Sequence, residues 1–231
     1  MASVKVRNKI LKLASKIFEV PEEELEIADG VVRVADIPDK MITLGDLAVR
    51  ANPMRGVFPP GEEPGLEAVA YYGPPYGATG AGAMGMIVDV DPQTMAIKIE
   101  RLVMVHDCGT PINPMVVEGQ VHGAIQMGIG NAFFEKMYYD ENGQLLTASF
   151  MDYLFPQATD MPPKIEMGHI ETPSPLNPLG IKGVGEAGAI PTPAVFNQAV
   201  ENAFAGIDLD LMESNLTPSK IYTYVQKAKG A

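Results

Sequence analysis

An α+β fold is predicted for this 231-residue chain, with mixed sheets built from hairpins and packed helices. Three observations predict it. The N-terminal stretch has helical spacing of apolar residues. Asp29-Gly30 and Asn142-Gly143 each sit between strand-like runs, as hairpin turns do. Later in the chain Asn113-Pro114, Pro193 and Thr217-Pro218 read as helix starts. The order suggests hairpins and helices rather than regular strand–helix–strand units.

Residues 4–19 read as an amphipathic helix, because Val6, Ile10, Leu13 and Ile17 recur every three or four positions and Pro21 follows. Leu25–Ala28 and Val31–Val34 flank the Asp29-Gly30 turn as a hairpin. Thr43 and Asp46 resemble a capping box opening a helix over 44–51. Residues 52–82 are rich in Pro and Gly and have little periodicity. Met84–Val90 and Met95–Val105 read as strands, and Asn113-Pro114 opens a helix to about Phe133. Four glycines within that helix, at 119, 123, 128 and 130, each cost about 1 kcal/mol of helix stability, which implies close packing against backbone or a ligand. A second hairpin is expected over Phe134–Tyr139 and Gln144–Ser149, then a strand over Lys164–Glu171. Helices follow from Pro193 to about Ala205 and from Pro218 to Lys227. Three parts are expected: a helix–hairpin–helix segment at 1–50, a Pro/Gly-rich linker at 51–82, and a main portion at 83–231.

Composition narrows the function. Hydrophobic residues make up 46%, enough for a core, and the net charge of −12 disfavours nucleic acid and anionic membrane as partners. No apolar run approaches the ~20 residues of a membrane span. Met1-Ala-Ser-Val-Lys-Val-Arg7 lacks the apolar centre of a signal peptide, so a cytoplasmic protein is expected. A single cysteine, Cys108, leaves no internal disulfide or cysteine-held cluster. His106, His122 and His169 form no H-E-x-x-H pattern, so no metal ligand is expected and any metal would arrive on a cofactor.

Pro178–Gly188 is the densest candidate site. Glycines at 180, 183, 185 and 188 let the backbone turn sharply and approach a ligand, and Glu186 is the one acid among them. The spacing matches neither G-x-G-x-x-G nor a P-loop. On chemistry alone a plain turn with a helix-capping acid competes with a ligand loop. His106 with Asp107 reads as a relay or, preferably, as a structural hydrogen bond, and Cys108 as buried and inert. His122 and His169 read as packing or surface residues.

Lys182-Gly-Val-Gly-Glu186, preceded by Ser174-Pro-Leu-Asn-Pro-Leu-Gly-Ile181 and followed by Ala187-Gly188, resembles the C-terminal active-site loop of the molybdenum hydroxylases. These are the xanthine dehydrogenase, aldehyde oxidase and aerobic carbon monoxide dehydrogenase enzymes. Val88–Thr94 with Val105–Gly109 and Ile112–Pro114 looks like their central strand pair and turn. Val117–Gly123 looks like the helix that passes the pterin.

The resemblance implies the α+β fold of the molybdenum cofactor-binding domain, with 83–231 as a molybdopterin-binding portion of the large subunit. It implies a molybdopterin-dependent oxidoreductase in which Glu186 is the catalytic base, taking a proton from a molybdenum-bound hydroxyl. Gly119, Gln120, Lys182, Gly183, Val184 and Gly185 would hold the cofactor. The cofactor would be molybdenum–molybdopterin, the cytosine dinucleotide form being usual in the bacterial branch. FAD and iron–sulfur clusters would sit on partner subunits, and a second molybdopterin-subunit chain would carry the missing N-terminal part. The family places a glutamine just before the glycine matching Gly128. Here Met127 stands there and Gln126 precedes it, a step that turns a helical side chain by ~100° and leaves Gln120 the favoured amide. The competing reading is a non-catalytic scaffold or assembly piece that retains the fold.

Overall fold

The computed structural model describes residues 1–54 and 63–230, so residues 55–62 of the expected linker lie outside the described residues. The chain divides into two compact units, Met1–Gly73 and Pro74–Ala231.

In the first unit α1 (Ala2–Phe18) buries Ile10, Leu13 and Phe18, and the partly buried Val6 and Ile17 complete the stripe. Glu19 closes the helix in the left-handed conformation, φ 56°. β1 (Leu25–Ala28) and β2 (Val31–Val34) form the expected hairpin. A third strand, β3 (Ile37–Thr43), was not expected from the sequence. It pairs antiparallel with β2 at the edge of the sheet. It carries Pro38, and an edge is where a sheet tolerates proline. α2 (Leu44–Arg50) starts as read, with Thr43 Oγ1 accepting from the Asp46 N–H at 3.0 Å.

The second unit is a three-stranded mixed sheet with helices. β4 (Ala81–Val90) begins inside the stretch read as linker and pairs antiparallel with β5 (Ile97–Asp107). β6 (Ile165–His169) pairs parallel with β5, from Leu102↔Ile165 to His106↔His169. The antiparallel β4–β5 pair and this one parallel crossover make the sheet mixed, as expected. α3 (Pro114–Ile129), capped by Asn113, continues into one wider turn over Gly130–Phe134. α4 (Thr192–Ala203) and α5 (Pro218–Ala228) follow. Leu102 and Met104 of β5 share one core with Val121, Ile125, Phe196 and Val225 of the three helices.

The second predicted hairpin does not form as strands. Its turn is there, with Gly143 at φ +81°, but a single bridge, Tyr139↔Leu145, joins its arms. Met137, Tyr138, Tyr139 and Leu146 are exposed, so burial supplies little to hold the arms together.

The four glycines of the α3 region behave differently. A Cβ on Gly128 would lie 2.5 Å from Thr192 Cβ, which makes that position a contact between α3 and α4. A Cβ on Gly119 or Gly123 would meet nothing within 4 Å. We therefore expect opposite signs in one helix. Gly119→Ala should raise the stability of the chain by about 0.5–1 kcal/mol through backbone entropy. Gly128→Ala should lower it by about 1–3 kcal/mol through overpacking. Urea unfolding of the two variants checks both; equal effects would remove the packing role of Gly128.

Candidate active site

Beyond β6 the chain runs without regular structure to α4, and two clamps shape it. At the first, Asn177 folds the turn: its Oδ1 accepts from the N–H groups of Leu179 (3.2 Å) and Ile181 (3.0 Å), and its Nδ2 donates to Ile181 O (2.8 Å). Gly180 (φ +69°) and Gly109 (φ +65°) face each other so closely that a Cβ on Gly109 would overlap the Gly180 carbonyl. Both lie in the left-handed region that glycine alone enters freely. The Gly180 carbonyl accepts from Thr110 and Ser174, the Lys182 N–H donates to Cys108 O (2.8 Å), and the Gly183 N–H donates to Ala78 O (2.9 Å). Residues 180–183 are thus strapped between the end of β5 and the chain entering β4.

An ion pair reinforces the strap. Lys182 Nζ lies 2.9 Å from Asp107 Oδ2, with both side chains largely buried. Asp107 Oδ1 also accepts from the N–H groups of Gly109 (2.7 Å) and Thr172 (3.2 Å). The Lys182 ammonium, then the Gly109 N–H, hold the Asp107 carboxyl well below the usual carboxylate range.

The second clamp is Gly188. A Cβ there would lie 2.6 Å from Val121 O and 2.7 Å from Ile125 N, so the loop backbone rests directly on α3. Thr192 Oγ1 donates to Gly188 O at 2.6 Å and fixes the entry to α4. Between the clamps Val184 turns towards the core, while Gly185 and Glu186 are exposed. Gly185 has no positive φ, and a Cβ on it would meet nothing within 4 Å. The Glu186 carbonyl accepts from Ala189 and Ile190, a turn that leads towards α4.

A cavity of ≈ 460 Å³ opens at this loop, a size suited to a small organic ligand. Gly183, Val184, Gly185 and Glu186 line one side, and Ala78–Gly82 line another. The second wall was missed from the sequence, although the run of small residues Gly77-Ala-Thr-Gly-Ala-Gly-Ala83 was its signal.

Other expected site residues lie elsewhere. Lys182 is turned to Asp107 rather than to the cavity. Gly119 and Gln120 sit on an exposed face of α3 with Met115, Val116, Gly123 and Met127, outside the cavity lining. Gln126 spends its amide on Pro156 O (2.9 Å). The structural bond read for His106 and Asp107 is not what holds either group. Asp107 is committed to Lys182, Gly109 and Thr172, and buried His106 leaves Nδ1 without a hydrogen-bond partner among the described residues.

The ion pair gives a pH signature. A carboxyl depressed in the folded state contributes stability that is fully present above its unfolded value, about 4, and is lost as pH falls below it. Asp107→Asn should lower the melting temperature near neutral pH, and its gap to the wild type should narrow below about pH 4. A gap independent of pH would show that the charge on Asp107 does not hold the strap.

The molybdopterin cofactor-binding domain family matches residues 1–162. The large subunit of nicotine 6-hydroxylase from Paenarthrobacter nicotinovorans is 36% identical over 229 residues, covering 99% of this chain and 28% of that protein. The carbon monoxide dehydrogenase large chain of Afipia carboxidovorans is 40% identical over 205 residues, covering 89% of this chain and 25% of that one. The crystal structure of quinoline 2-oxidoreductase from Pseudomonas putida 86 superposes with a TM-score of 0.79 at 39% identity, covering 97% of this chain and 28% of that one. The chain therefore spans little more than a quarter of the relatives it matches. With this fold and this similarity to large subunits, the chain belongs to the molybdopterin cofactor-binding domain family of the molybdenum hydroxylases.

Proposed function

We propose that this chain supplies the base-bearing wall of the catalytic centre of a molybdenum hydroxylase, with Glu186 as the proton acceptor. One observation carries the reading: an exposed carboxylate is held in mid-loop between two clamps, at a cavity otherwise lined by small and apolar residues. A general base must first be positioned within hydrogen-bond reach of its proton, and a clamped loop provides that.

The residues present fit a pterin cofactor. Gly185 leaves open space where any side chain would project, and Gly183 and Val184 adjoin it. The Gly183 N–H is committed to Ala78, so its contribution is the absence of a side chain. Gln120, with bare Gly119 beside it, offers an exposed amide that can donate and accept. Lys182 contributes through Asp107 by fixing the strap. When bound, molybdenum–molybdopterin supplies the two-electron redox chemistry; this chain's residues position the reactants and accept the proton at the Glu186 carboxylate.

The chain spans 28% of its relative's length; this proposal includes a second molybdopterin-subunit chain that supplies further cofactor contacts. Iron–sulfur and flavin subunits would then receive the electrons. The cytosine dinucleotide form of the cofactor and a cytoplasmic location belong to the same proposal. The relatives are named for nicotine, carbon monoxide and quinoline, so the proposal stops at oxidation of a small substrate.

Two substitutions test it in the reconstituted complex. Glu186→Gln should retain molybdenum and lose at least about 100-fold in the rate constant, because the amide cannot accept the proton. A loss of only a few-fold would leave the chain as scaffold. Gly185→Val should leave the melting temperature unchanged, since neither a positive φ nor a close neighbour opposes it. It should nevertheless reduce cofactor content. A stable variant with full cofactor and activity would place the loop away from the pterin.

A further inference from the structure

We propose that His106, Cys108 and His169 form a binding site for a single zinc-type divalent cation. The three residues meet because β6 runs parallel beside β5, with His106 and His169 as register partners, while Cys108 follows one residue past the end of β5. The two imidazole rings have centroids 5.0 Å apart. One ligand atom from each of the three side chains lies within 4.8 Å of the other two. Among the described residues the Nδ1 of His106 has no hydrogen-bond partner, although the side chain is 4% exposed. Such a buried orphan is costly unless something takes its lone pair or proton.

The donors match a borderline cation. Zinc takes imidazole nitrogen at about 2.0–2.1 Å and thiolate sulfur at about 2.3 Å, so tetrahedral ligand atoms sit about 3.4–3.6 Å apart. Binding requires the three ligand atoms, within 4.8 Å of one another, to close to that spacing. A thiolate ligand forms with loss of the thiol proton: M²⁺ plus one thiol and two neutral imidazoles gives the thiolate complex plus H⁺. Glu171 Oε1 lies 3.9 Å from His169 Nε2, beyond direct hydrogen-bond distance. His169 is part exposed and leaves the fourth position to water.

Titration of the purified 231-residue chain with Co²⁺, then Zn²⁺, tests the site without molybdenum or partner subunits. The expected result is a 1:1 complex with a thiolate-to-cobalt charge-transfer band in the near ultraviolet, proton release, and displacement of cobalt by zinc. Cys108→Ser should abolish the band. Loss of an outer-shell partner alone costs about 10–100-fold in affinity, so His106→Ala and His169→Ala should weaken binding by about 100-fold or more. His122→Ala should have no effect. If a buried variant fails to fold, part-exposed His169→Ala still decides the matter. No charge-transfer band in the wild type, or unchanged affinity in folded His169→Ala, overturns the proposal. Because the readout is independent of turnover, its failure would leave the Glu186 reading standing.

Discussion

Backbone-on-backbone contact at glycine is the constraint on which the site depends. At Gly109–Gly180 and at Gly188–α3 the chain passes where no Cβ fits. Such approaches convert a loop, ordinarily a mobile element, into one fixed to the sheet at one end and to a helix at the other. The hydrogen bonds of Lys182 and Gly183 then fall in register with Cys108 and Ala78. Glu186 inherits its position from these contacts without making a side-chain bond of its own in the cavity lining. The same logic explains why Thr192 is buried: it fills the space against Gly128 and donates to Gly188, joining the loop, α3 and α4 in one contact.

The charge arrangement follows from that strap. The one cation of the loop, Lys182, is spent on Asp107, and Asp107 is further satisfied by two backbone N–H groups. A buried pair of this kind is costly unless its remaining valences are filled, and here those of the carboxylate are. The cavity is left with Glu186 as its one charged lining residue. A lysine facing the cavity would have supplied a competing cation beside the carboxylate.

Legibility in the sequence tracked the range of the interactions. Local signals were plain: the Asp29-Gly30 turn, the Thr43 and Asn113 caps, and the proline-opened helices all rest on contacts within a few residues. The Glu186 loop was legible through its glycines and its resemblance to a known motif. Contacts set by distant pairing were not. β3 carries Pro38, which a strand accepts where it lies at the edge of a sheet. The parallel β5–β6 pairing is invisible to hydrophobic alternation, which reports burial and not partner. The cavity wall at Ala78–Gly82 looked like linker because small residues carry no periodicity. Lys182 is implied as a cofactor contact by the motif resemblance, and its ion pair with Asp107, 75 positions away, was not legible.

The exposed face of α3 bears on the proposed function. Met115, Val116 and Met127 are all more than half exposed, and they share that face with bare Gly119 and Gly123. Glycines in mid-helix cost stability and here gain no contact within the chain. In the proposed assembly this cost, accepted twice on a face that also bears Met115, Val116 and Met127, would be offset by a close approach to the helix from outside, because only a close approach benefits from a missing Cβ. Apolar side chains flanking bare backbone are suited to an interface of that kind. The cavity rim has the same character, since Ile190 is 72% exposed beside Glu186. Covering both surfaces would exclude water from the carboxylate, and exclusion of water strengthens every electrostatic contact a base makes. On this reading the chain holds one prepared wall of a site, and the stability forgone at Gly119 and Gly123 is recovered on assembly.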